Sequence, residues 1–282
     1  MKKRAVLQKR QTPTRRRWHV PPPLIHGAET LEGGAILNEW PNPLGVVLWQ
    51  AFRDVMLWSL TDPAKRDQVF SSAPSRDPDP LQGTGDSEND PRLAGGLKLI
   101  RKLVEAPLSV KEEQVARACR GLSEWACERG RIQTALAFAQ DAALANRSSA
   151  AAAFWVATLA GRLNDHARAE GWFRRAIGLA RQSRDWRMYS RSFSGLGNLY
   201  IRRGNLPAAR RLHTRALRGA RRGGMRREQA SALHDLFIVS AETGNIVEAE
   251  RLARQALEAF GTRNRRIYAL AHDVAYFWME QG

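Results

Sequence analysis

Along most of the chain, apolar side chains return at spacings of three and four rather than two. Leu97, Ile100, Leu103 and Val104 form one such stripe, which Pro107 stops. This spacing lines apolar groups along one face of an α-helix. Ser109-Val-Lys-Glu112 has the form of a capping box and predicts a helix to about Arg129. Nearer the N-terminus, Pro43 to Leu60 carries Val47, Leu48, Ala51, Val55 and Trp58 on one stripe. Trp49, Phe52, Met56 and Leu57 widen that stripe until the helix is apolar on most sides. Thr61-Asp62-Pro63 places proline just inside a first turn and predicts a short helix to about Phe70. Two helices so rich in Trp and Phe cannot bury themselves alone. They are expected to dock on the downstream helices or on a partner. No segment alternates with β-branched residues as a strand would, so the expectation is an all-α protein.

The helical pattern itself repeats. Ser194-Gly-Leu-Gly-Asn-Leu-Tyr200 returns in degraded form, forty positions later, as His234-Asp-Leu-Phe-Ile-Val-Ser240. Gly204-Asn205 recurs as Gly244-Asn245, Ala209 as Ala249, and Ala216-Leu217 as Ala256-Leu257. One step back stand Asn164-Asp165, Ala169 and Ala176-Ile177. Each unit reads as a helix, a tight turn and a second helix. At the turn, glycine supplies the left-handed conformation and asparagine caps the next helix. Pro207 falls in a first turn, where a missing N–H costs nothing.

Phe193, Leu196, Gly197, Tyr200, Gly204, Ala209, Ala216 and Leu217 resemble the tetratricopeptide repeat in order and spacing. His213 departs from that pattern, standing where the family favours an aromatic. Leu233, Leu236, Gly244, Ala249, Ala256 and Leu257 match in the next unit, with Phe237 and Ser240 in place of Gly and Tyr. Ala169, Phe173, Ala176 and Ile177 match in the unit before, and Leu122, Gly130, Ala135, Ala139 and Ala142 more weakly upstream. The resemblance covers roughly residues 110–282 and implies a right-handed α-solenoid of antiparallel helix pairs. The unit of forty exceeds the standard one of about 34. Long units of this kind resemble the solenoids of MalT-like activators, peptide-sensing bacterial regulators and kinesin light chains. What the resemblance implies is recognition of a peptide or protein, not an activity.

The expected organisation is a basic disordered arm at 1–35, a Trp-rich helical segment at 36–70, a flexible linker at 71–92 and the repeat region at 93–282. The arm holds Pro13 and Pro21–Pro23 and no acid before Glu29; it reads as a solvated leader or as a phosphate-touching tail. Asn264 to Gln281 reads as the first helix of a further unit. The expectation there is a fragment, or a helix that pairs with another chain.

Lys and Arg total 45 against 28 Asp and Glu, giving a net charge of +17 and a pI near 11.1. Two readings stay open. One is a polyanion partner. The other is a genomic base-composition bias, since arginine dominates and no lysine follows Lys111. Cys119 and Cys127 lie eight residues apart in a predicted helix, about 12 Å along its axis, beyond disulfide reach. Reduced thiols suit a cytoplasmic protein. No apolar run approaches the roughly 20 residues of a membrane span, and no apolar core follows the basic N-terminus as in a signal peptide.

No catalytic constellation converges. The chain lacks H-E-x-x-H, G-x-S-x-G and Cys-x-x-Cys, and its six histidines are scattered, so no enzyme activity, metal or cofactor is expected. The family pattern instead implies a groove lined by Phe154, Thr158, Arg162, Arg191, Asn198, Arg202, His234 and Ile238. Asn198 stands where some family members grip a peptide backbone or terminal carboxylate. The companion lysines are absent, but Arg191 and Arg202 supply similar charge. The stretch from Trp186 through Arg227 holds twelve arginines and no acid. Arg203, Arg210, Arg211, Arg221, Arg222, Arg226 and Arg227 are therefore candidates for contact with a polyanion. The leading expectation is a non-enzymatic scaffold or regulatory subunit binding a protein or peptide. The alternative is a nucleic-acid-associated transcriptional regulator using the Arg-rich face and the basic arm.

Overall fold

The computed structural model describes residues 32–71, 90–261 and 264–281. The expected arm, apart from its last four residues, and most of the expected linker lie outside the described residues. Thirteen α-helices run through the described residues, with no strand among them. The first three are α1 (Glu32–Glu39), α2 (Pro43–Leu60) and α3 (Arg66–Ser71), the last preceded by a 3₁₀ turn at Pro63–Lys65. Then come α4 (Pro91–Glu105), α5 (Glu112–Glu128), α6 (Ile132–Ala145), α7 (Ala150–Arg162) and α8 (His166–Gln182). The series closes with α9 (Trp186–Arg202), α10 (Leu206–Arg222), α11 (Arg226–Glu242), α12 (Ile246–Phe260) and α13 (Arg266–Gln281). From α5 onward consecutive helices pack in chain order as hairpins, which makes the molecule an all-α, tetratricopeptide-like solenoid.

Local chemistry sets the helix starts. Asn42 Oδ1 accepts from the Gly45 N–H at 3.2 Å and Pro43 opens α2. Asp90 Oδ1 accepts from the Arg92 N–H at 2.9 Å, so α4 begins at Pro91, inside the expected linker of 71–92. The capping box expected at Ser109 to Glu112 does not form. Ser109 donates its hydroxyl to the Ala106 carbonyl at 2.8 Å, because a turn after Pro107 holds it away from the helix. The Gln114 side chain instead accepts from the Lys111 N–H at 3.0 Å, and the helix starts at Glu112.

The turns between paired helices follow one design. Gly204 takes φ +70° and Asn205 Oδ1 accepts from the Ala208 N–H at 3.1 Å. In the preceding unit Asn164 takes φ 59°, and Asp165 accepts from the Arg168 N–H at 3.0 Å. Between units, Arg184 takes φ 57° and Asp185 accepts from the Met188 N–H at 2.9 Å. Inside the hairpin, Gly197 lets α9 approach α10. A Cβ on Gly197 would lie 2.5 Å from the ring of His213, which is fully buried. His213 therefore fills the slot of the family's aromatic against a bare backbone.

The Trp-rich helices dock on the repeat. α1 and α2 pack against α6, and Trp58, Phe52 and Leu48 of α2 are fully buried. Trp40 stacks on Trp125 with ring centroids 5.0 Å apart. Glu39 accepts from the backbone N–H groups of Gln133 and Thr134 at 2.9 and 2.8 Å, and from the Thr134 hydroxyl at 2.7 Å. A carboxylate from another helix thus satisfies the open N–H groups at the start of α6, where the helix dipole favours negative charge. At the other end, α13 packs on α12 and α11, burying Leu270 and Phe277 while Tyr268, Tyr276, Trp278 and Met279 are exposed.

Because the Gly197 contact is backbone against ring, Gly197→Ala should lower stability by about 1–3 kcal/mol. Urea denaturation followed by circular dichroism measures this; an unchanged midpoint would show that the helices can separate freely at this point.

Candidate ligand-binding groove

The first helices of successive hairpins, α7, α9 and α11, touch one another directly, and α13 touches α11. Together they line a recess of about 410 Å³. Phe154 enters from α7; Arg187, Ser190, Arg191, Ser194, Gly195 and Asn198 from α9; Arg227, Glu228, Ser231 and Asp235 from α11; and Arg266 from α13. The residues of α9 recur every three or four positions, as one face of a helix must. Gly195 leaves room for the edge of Phe173, since a Cβ there would lie 2.5 Å from that ring.

The polar groups are held in defined relations. The Arg191 guanidinium lies 4.8 Å over the Phe154 ring, and Phe154 meets Phe173 edge to face at 5.8 Å. Arg187 pairs with Glu228 at 3.4 Å, and Arg266 Nη1 donates to the Ser231 hydroxyl at 3.0 Å. Asp235 Oδ2 stands 3.3 Å from Nδ1 of buried His213, close enough for an ion pair but without hydrogen-bond alignment. Burial holds the Arg191 guanidinium below its ordinary value. Glu228 opposes that shift, while Arg266, Arg227 and Arg120 add to it. Arginine charge is therefore in excess around Arg191.

Of the groove residues expected from the sequence, Phe154, Arg191 and Asn198 meet in this recess, and Arg227 joins them from the set proposed to touch a polyanion. The other five do not line it. Thr158 donates to the Phe154 carbonyl at 2.9 Å, and Arg162 turns to the Cys127 sulfur at 2.9 Å. Arg202 reaches the Gly161 carbonyl at 3.4 Å. His234 binds Asp273 of α13 at 2.8 Å, and Ile238 packs half-buried against the core. The recess sits nearer the N-terminal ends of the first helices than the family pattern implied. The forty-residue step carried this information, because Arg187, Arg191 and Gly195 map onto Arg227, Ser231 and Asp235. Arg266 stands one position out of that series, because the same step from Arg227 falls on Ile267.

The remaining arginines divide. Arg203 donates to Glu170 at 2.7 Å, and Arg210 pairs with Glu248 at 3.3 Å. Arg222 lies 4.4 Å over the Trp186 ring, and Arg226 reaches the Glu258 carbonyl at 3.4 Å. Arg221 is exposed, and Arg211 lines a second recess of about 500 Å³ between α8, α9 and α10, floored by Phe193 and Leu196. Cys119 and Cys127 are both free thiols. Among the described residues, no helix is long and apolar enough to cross a membrane, and no group of three metal-ligating side chains converges.

Residues 148–222, spanning α7 to α10, match the tetratricopeptide repeat family model. No curated protein matches the chain significantly. Tetratricopeptide repeats are in general protein-interaction modules and are typically not catalytic.

At the turn side of the solenoid, Glu170 accepts from Arg174, Arg203 and the Tyr200 hydroxyl at 2.7, 2.7 and 2.9 Å. Burial alone would raise its proton affinity, but these donors outweigh burial and hold its carboxyl below the ordinary value. A depressed carboxylate stabilises the fold above its unfolded value and loses that stabilisation as pH falls towards its folded one. Glu170→Gln should therefore lower the melting temperature at pH 7, with the gap to wild type closing below about pH 4.5. A gap that persists unchanged in acid would show that the carboxylate's charge is not what joins α8 to α9.

Proposed function

We propose that this chain is a non-enzymatic scaffold or regulatory subunit that holds an acidic peptide segment of a partner protein in the groove formed by α7, α9, α11 and α13. One observation carries the reading: Phe154, Arg191, Asn198 and Arg227, from three successive hairpins, line a single recess. Phe154 offers an aromatic surface, Asn198 a side-chain amide able to bond a peptide backbone, and the arginines a complement to negative charge. The amide of Asn198 makes no hydrogen bond among the described residues, so its donors and acceptor are available to a ligand. Long repeat units resemble those of MalT-like activators and peptide-sensing regulators, which fits a regulatory role. Two unpaired thiols fit a reducing compartment such as the cytoplasm.

A continuous nucleic-acid stripe has less support. Arg203 and Arg210 bind acids, and Arg222 and Arg226 a ring and a carbonyl, leaving Arg211, Arg221 and Arg227 on different features.

Replacing Arg191, Asn198 and Arg227 together with alanine should abolish binding of a labelled acidic peptide pool in fluorescence anisotropy, with helicity retained. Binding by wild type should weaken only modestly between about 50 and 200 mM salt, whereas a backbone-tracking nucleic-acid site would lose orders of magnitude. Unchanged affinity in the triple variant would remove the groove from consideration.

A further inference from the structure

The recess holds more positive charge than its own acids neutralise. Four guanidiniums, of Arg187, Arg191, Arg227 and Arg266, face two carboxylates, those of Glu228 and Asp235. Glu228 pairs with Arg187 at 3.4 Å, while Asp235 stands 3.3 Å from the buried His213 ring without hydrogen-bond alignment. Arg266 is engaged by Ser231. Arg191 and Arg227 have no acidic partner within bonding distance among the described residues, although they come from different helices, α9 and α11. Ser194 lines the same recess with a hydroxyl that makes no hydrogen bond among the described residues.

That inventory distinguishes two kinds of anion. A carboxylate is planar and singly charged, and one bidentate guanidinium satisfies it. A phosphomonoester carries close to two negative charges at neutral pH and three acceptor oxygens arranged around phosphorus. Two uncompensated guanidiniums approaching from two helices, with a hydroxyl and an amide beside them, match the second in charge and in number of donors. Arg191 is also fixed before any ligand arrives. Its guanidinium is seated on Phe154, and Phe154 is braced by Phe173. A donor already in place loses little freedom on binding.

We propose that the recess between α9 and α11 is a subsite for a phosphorylated side chain of the bound peptide, with Arg191 and Arg227 as its two principal ligands and Ser194 and Asn198 as supporting donors. The proposal rests on the peptide-groove reading above. It adds that the partner is recognised in a phosphorylated state, so that phosphorylation of the partner would switch assembly on.

The experiment compares three labelled peptides of one alanine-glycine sequence, carrying phosphoserine, glutamate or serine at the centre, by anisotropy at constant ionic strength. Phosphoserine should bind about tenfold tighter than glutamate, the loss expected from one charge-assisted hydrogen bond. Its affinity should rise between about pH 5 and pH 7 as the phosphate takes its second charge, while that of the glutamate peptide stays level. Arg191→Gln and Arg227→Gln, tested separately, should each remove most of that preference. Glu228→Gln should strengthen binding, and inorganic phosphate should displace the peptide where acetate does not. Equal binding of the phosphoserine and glutamate peptides, with both lost in the arginine variants, would overturn the phosphate subsite and leave the groove reading intact. Preference for phosphoserine that survives both arginine variants would place the phosphate elsewhere and overturn the subsite. Failure of every peptide, including the acidic pool, would overturn both readings. A single-stranded oligonucleotide that displaces the phosphopeptide at equal phosphate concentration would overturn the peptide source in favour of a nucleic acid.

Discussion

A helix folds back on its neighbour within three residues most readily where one of them accepts a positive φ and the next satisfies an N–H group of the new helix. In this chain Gly204-Asn205, Gly244-Asn245 and Asn164-Asp165 meet both needs, with Asp185 performing the second at a unit boundary. The pairs recur at a fixed step of forty residues, so these three hairpins turn at the same height. The first helices are thereby stacked in register, and the N-terminal halves of α9 and α11 stand side by side. The recess depends on this register. A slip of one helical turn would move Arg227 away from the level of Arg191 by about 5.4 Å.

Within that frame, charge is distributed rather than merely abundant. Some arginines close the structure: Arg203 binds Glu170 from the previous hairpin, Arg210 binds Glu248 of the next, and Arg129 covers Trp125 at the docked end. These pairs are largely surface interactions and contribute little individually. The groove arginines Arg191 and Arg227 differ because no carboxylate among the described residues lies within ion-pair distance of them. A surplus fixed on rigid helices attracts an anion without prior rearrangement.

Much of the architecture was legible in the sequence because the repeat writes the same physical demand several times. The glycine and asparagine pairs, the alanines of the second helices and the stripe of α2 all mark positions where local chemistry and tertiary packing agree. Elsewhere local chemistry misled. Ser109 and Glu112 have the form of a capping box, yet Pro107 and the turn after it hold Ser109 on the Ala106 carbonyl. The first helix starts at Glu32, four residues inside the expected arm, because its anchor is the start of α6, which Glu39 reaches across 94 and 95 residues. The groove was legible in part. Phe154, Arg191 and Asn198 follow from the family pattern, but which end of the first helices opens to form a recess depends on side-chain size. Gly195 and the serines at 190, 194 and 231 leave that space, while Arg162, Arg202 and His234 bind back onto the protein.

The central claim is that the ligand lies on the first-helix face and not on the opposite one. Site-specific photocrosslinking separates the two faces directly. A benzophenone side chain placed at Ser194 lines the α9–α11 recess, and one placed at Leu212 lines the recess between α8, α9 and α10. With a degenerate pool of acidic peptides, covalent adducts should form from position 194 and not from 212. Adducts from 212 alone, or equally from both, would contradict binding in the groove.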